Sequence, residues 1–180
     1  MEKKFELTDK FVFNTFGIKL FQIKCTKSFK YAKEGDLGGY VEKDENLDQE
    51  SDAWVSGDAQ VYGDARVYDD AQVCGDAWVY GNAQVCGNAR VYGDARVYDD
   101  ADIENDNNHC GFDCFGSCNR HTHAYLTKDN KVEITCGCFR GSIEEFEKKV
   151  EKTHSGKIYE KQYKAIINAI KIKFGLTDLI

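Results

Sequence analysis

The sequence predicts a mainly β protein. A short parallel β-helix over residues 41–106 lies between an N-terminal β cap (residues 1–40) and a C-terminal ββαα domain (residues 107–180). Three observations carry this reading. A six-residue phrase repeats nine times without a gap from Ala53 to Asp106, as in AQVYGD, ARVYDD and AQVCGD. Each phrase pairs a small anchor with a β-branched one, Ala59 with Val61 and so on to Ala101 with Ile103. After Asn107 the repeat gives way to alternating segments and then to helical spacing.

The repeat excludes a helix. A period of six matches neither 3.6 nor 3.5, and Gly-Asp or Gly-Asn every sixth residue opposes helical propagation. Ala-x-Val instead puts two side chains on one face of a short strand. Gly-Asp and Gly-Asn then supply a corner, because those residues tolerate turn conformations. Three sides make an 18-residue coil, and hexapeptide periodicity is a signature of parallel β-helices. Nine hexads give three coils, a prism rising about 14 Å at about 4.8 Å per layer. Val41 and Leu47 read as a degenerate opening coil before the register settles. A stack this short leaves unpaired strand edges at both ends, so residues 1–40 and 107–180 are its candidate caps.

Period 18 assigns the outward residues to three faces. Tyr62, Tyr80 and Tyr98 fall in one column, with Trp78 beside them. Stacked aromatics stabilise a sheet, and Tyr and Trp are also enriched at interfaces. The column is therefore either a solvated or capped ladder, or an oligomer or partner contact. Corner acids, among them Asp69, Asp70, Asp99 and Asp100, form acidic rows. They serve as turn residues or, on a sharper reading, imitate a phosphate backbone and attract a nucleic-acid-binding protein.

The hexads are similar to the left-handed β-helix of hexapeptide-repeat acyltransferases. The flanks GDLGGYVEKDENLDQESDAWV (residues 35–55) and ITCGCFRGSIEEFEKKVEKTH (residues 134–154) resemble a family of largely uncharacterised phage, prophage and Firmicutes proteins, often labelled polymer-forming or hexapeptide-repeat. The resemblance covers nearly the whole chain. It implies a left-handed β-helix and a tendency to associate as trimers, and it says almost nothing about activity. Acyltransferases of this kind use a catalytic His as general base at a coil edge. β-Helical carbonic anhydrases need three His on the repeats. Between Ala53 and Asp106 there is no His and no loop insertion. The expectation is a protein that is not an enzyme.

In the C-terminal domain, His123–Thr127 and Val132–Phe139 alternate like two strands joined at Lys128–Lys131. Ser142-x-x-Glu145 is a capping box ahead of a helix carrying Ile143, Phe146 and Val150 on one face. Gly156 ends that helix, and Tyr163, Ile166, Ile167 and Ile170 mark a second. Cys110, Cys114, Cys118 and His121 are weak zinc candidates, because their C-x3-C spacing is not the paired C-x2-C of zinc knuckles. No cofactor is expected beyond that option. The helix lysines alternate with glutamates, as on a solvated helix face.

Residues 1–10 carry no signal-peptide pattern, and no stretch approaches the roughly 20 apolar residues of a membrane helix. A cytoplasmic protein with eight reduced cysteines follows as the expectation. The net charge of −7 is uneven: +4 over residues 1–34, −14 over 35–106 and +3 over 107–180. An acidic prism displaying Tyr62, Trp78, Tyr80 and Tyr98 points to a protein partner. With the phage and prophage resemblance, the expected role is an inhibitor of a host defence complex, for instance a nucleic-acid-guided nuclease with a basic channel. An acyltransferase-like enzyme and a self-assembling structural protein are the alternatives.

Overall fold

The computed structural model describes residues 2–176. The chain divides into two compact units, Met1–Asp106 and Asn107–Ile180. The first is a three-sided parallel solenoid of about four coils with an antiparallel extension.

The extension is built from β1 (Phe5–Phe13), β2 (Lys19–Cys25) and β3 (Leu37–Val41), paired antiparallel in that order. The repeats form nine strands of two or three residues: β4 (Trp54–Val55), β5 (Gln60–Val61), β6 (Arg66–Val67), β7 (Gln72–Val73), β8 (Trp78–Tyr80), β9 (Gln84–Val85), β10 (Arg90–Val91), β11 (Arg96–Tyr98) and β12 (Asp102–Ile103). One side stacks β3-β5-β8-β11, the second β4-β7-β10 and the third β6-β9-β12. Every pairing between repeat strands is parallel with an offset of eighteen residues, for example Val61 on Val79 and Val79 on Val97.

The opening coil forms as the sequence predicts. Val41 pairs with Val61, and Leu47 bridges to Val67. Val41, Leu47 and all nine anchors from Val55 to Ile103 are buried, as are the nine alanines. Each buried Val contributes about 1.5–3 kcal/mol, so the axis of the prism is one continuous apolar column. Its small anchors keep the three sides close together.

The open edges at the start of the prism are closed by residues outside the repeat. Lys4 is buried, and its Nζ donates to the carbonyls of Ser51 (2.7 Å) and Ala53 (2.8 Å). Asn46 Nδ2 donates to the carbonyls of Gly63 (3.1 Å) and Ala65 (2.9 Å). These are backbone acceptors at the start of the stack that no earlier repeat strand supplies with donors.

The second unit contains the two expected strands and two more. They form an antiparallel meander of β13 (His109–Phe115), β14 (Arg120–Leu126), β15 (Val132–Cys136) and β16 (Phe139–Ser142). Gly137, at φ 59°, breaks the expected Val132–Phe139 run into β15 and β16. Helices α1 (Ile143–His154) and α2 (Ile158–Lys173) follow. The capping box is present: Ser142 Oγ accepts from Glu145 N–H, and Glu145 Oε2 accepts from Ser142 N–H. Ala124, Ile134 and Cys136 of the sheet pack with Ile143, Phe146, Val150, Tyr163, Ile166, Ile167 and Ile170 of the helices.

Candidate binding face

The side β3-β5-β8-β11 carries two outward columns. The first runs Tyr40, Gln60, Trp78, Arg96 through register pairs. Within it the Arg96 guanidinium lies 4.5 Å from the Trp78 ring centre, a cation–π arrangement. The second column is the tyrosine ladder. Tyr62 and Tyr80 stack with centroids 4.9 Å apart and planes 3° from parallel; Tyr80 and Tyr98 stack at 4.8 Å and 13°. The solenoid rise of about 4.8 Å per layer matches these centroid spacings. Tyr62 is buried, and its phenol oxygen has no hydrogen-bond partner among the described residues. Burial pushes its ionisation upward, and the neighbouring Tyr80 adds to that push. Tyr80, Tyr98 and Trp78 are partly exposed.

Two corner rows flank this face. The corner leading into it stacks Asp58, Asp76 and Asp94, all exposed. Among the described residues none of these three joins an ion pair. The corner leaving it carries Asp64, Asn82 and the Asp99–Asp100 step. The third corner carries Asp69–Asp70 and Asn88.

The structure divides the sequence-predicted acids by role. Asp69 and Asp99 occupy the corner position that is Gly in six of the nine hexads, with φ of 58° and 54°. Asp tolerates the left-handed region better than most residues, so each makes the turn. Asp69 Oδ2 also accepts from the Gly87 N–H at 3.2 Å, one coil further on. Asp70 is paired with Lys30 at 2.8 Å, and Asp64 with Lys43 at 2.9 Å. Asp100 is exposed. Lys30 of the N-terminal extension and Lys43 of the opening coil thus neutralise two corner acids, and the row without ion pairs among the described residues is Asp58, Asp76 and Asp94. Period 18 places those three in one line, so the signal was present in the sequence. What it lacked was the location of the lysines.

A cleft of about 630 Å³ opens at the first coil, lined by Lys43, Asp44, Glu45, Asp48, Glu50 and Arg66 among others. Charges of both signs line it, with acids in excess.

The four zinc candidates are dispersed. Cys110 packs toward the helical core, and burial raises its thiol pKa to about 11. Cys114 sits at a bulge with φ 63° and is exposed, as is Cys118 in the following turn. Only His121 is placed in a polar cluster, with His109, His123 and Tyr125, all buried. Among the described residues no group of three or more His, Cys, Asp or Glu side chains stands ready to hold a metal. Also among the described residues, no helix is long and apolar enough to cross a membrane.

Comparison with known proteins bears on the prism alone. No curated protein matches the chain. Residues 59–75, 71–87, 83–99 and 89–104 match the family model of the YdcK beta solenoid repeat. The stacked hexads are therefore similar to that repeat in sequence and form a β-solenoid in structure.

Proposed function

We propose that the protein is a non-catalytic binding module whose solenoid engages a basic protein partner. The observation that carries this reading is the side bearing Trp78 and the tyrosine ladder, bordered by the uncompensated row Asp58, Asp76, Asp94. Aromatic residues on a rigid sheet give contact area at low conformational cost. A carboxylate row beside them steers a positively charged partner. Carboxylates repeated along a rigid edge favour a partner that itself binds nucleic acid. The counter-defence role, in which a phage-type protein occupies the basic channel of such a partner, is the sharper form of this proposal.

The test is affinity capture from bacterial lysate with the full chain and an Asp58→Asn/Asp76→Asn/Asp94→Asn variant side by side. A nucleic-acid-binding protein should be retained by the parent chain alone. Salt rising from about 50 to 200 mM should release it, and so should an oligonucleotide competitor. Equal capture by both chains, indifferent to salt, overturns the reading.

A further inference from the structure

We propose that His109, His121 and His123 form a binding site for one divalent transition-metal ion of the zinc type, on the sheet face opposite the two helices. The meander's alternation places them there. On β14, His121, His123 and Tyr125 are two residues apart and share a face. Register pairs His109 with Tyr125 and Gly111 with His123, so β13 contributes His109 and a glycine to that face. The intervening residues of β14, Thr122 and Ala124, point the other way, and Ala124 lies in the helical core.

Three imidazoles bound to a tetrahedral ion at about 2.0–2.1 Å have ring centres about 5 Å apart. The centroids of His109 and His123 are 5.1 Å apart, and those of His121 and His123 are 5.7 Å apart. His109 Nδ1 and His123 Nε2 share one hydrogen bond at 2.9 Å. Among the described residues no three donors converge yet, so the His121 ring turns toward this pair as an ion binds. An ion replaces that bond when the donating ring switches tautomer and the two nitrogens move apart by a few tenths of an ångström.

His121 supplies the second, independent observation. The Asp113 carboxylate accepts from its Nδ1 at 2.5 Å. An ionised carboxylate only accepts, so in the neutral imidazole the proton is on Nδ1 and Nε2 carries the lone pair. That Nε2 is buried and has no partner among the described residues. A carboxylate holding the far nitrogen of a histidine is the arrangement that orients metal-ligating imidazoles. Gly111 makes room for the ring: a Cβ there would stand 2.7 Å from His121 Cε1. The Asp113 side chain is 55% exposed, so the carboxylate that holds His121 reaches solvent.

Native mass spectrometry of the full chain, titrated with zinc alone, tests the site. One zinc per chain is expected. His123→Ala should abolish the adduct, and Asp113→Asn, at a carboxylate 55% exposed, should weaken it about 10–100-fold. The Cys114→Ser/Cys118→Ser variant should bind as the parent does. No adduct in excess zinc, undiminished binding by Asp113→Asn, or loss of binding in the cysteine variant overturns the proposal.

Discussion

At single residues, the solenoid's demands are sharpest in its corners. Gly57 and Gly87 both have positive φ, at 67° and 58°. A Cβ at Gly57 would meet the Gly75 backbone at 3.2 Å, whereas one at Gly87 would run into the Glu104 carbonyl oxygen. Left-handed backbone costs a non-glycine residue about 1–2 kcal/mol. Gly57→Ala should lose about that much in urea unfolding, and Gly87→Ala clearly more. Equal losses would mean that the last coil relaxes freely. Lys4 makes a second residue-level case. Burial pushes its pKa down from 10.5 to about 8, while its ammonium donates to two carbonyls. Lys4→Met should cost about 1–3 kcal/mol for each carbonyl left without a donor. Between pH 8 and 10.5 the unfolded chain holds the lysine proton that the folded chain has lost. The stability of the parent relative to Lys4→Met should therefore rise with pH across that window and stay level below it. A difference that falls across the window would contradict the burial argument. Nothing in the sequence marks Lys4 as buried, because its acceptors lie about fifty residues away.

Among the elements, the repeat strands were fully legible and the C-terminal strands only partly so. The anchors repeat with period six, so the core of β4 to β12 can be read without knowing any contact. β13 reads as a loop because His, Cys, Gly and Asp interrupt its alternation and a bulge at Cys114 breaks its register. Its partner β14 supplies the order that β13 lacks. The tyrosine column was likewise legible from period 18, but the burial of Tyr62 was not. The ladder itself makes a prediction. Tyr80 stacks on both sides, while Tyr98 stacks on Tyr80 alone in the ladder. Each aromatic contact is worth about 0.5–1.5 kcal/mol beyond area burial. In a double-mutant cycle, Tyr80→Ser and Tyr98→Ser should therefore couple by about one such contact, as measured by thermal or urea unfolding. No coupling would show that the rings are held by the sheet and add nothing to one another.

Over the whole molecule, charge separates what the fold needs from what it displays. Residues 35–106 carry −14 with Lys43, the partner of Asp64, already counted, and Lys30 of the N-terminal segment neutralises Asp70. Asp69 and Asp99 are committed to corners. Asp58, Asp76 and Asp94 satisfy neither need. Their corner glycines already make the turn, and the three carboxylates stand in one row about 4.8 Å apart per layer. Like charges at that spacing repel by about 0.8 kcal/mol per neighbouring pair in water, and less once screened. A row kept only for folding would not carry that repulsion. Asp58→Asn/Asp76→Asn/Asp94→Asn should raise the melting temperature at low salt, with the gain shrinking as salt rises. The same variant should lose partner capture. A variant that is both less stable and still able to capture would make the row a structural device, and would move the binding surface to the tyrosine ladder alone.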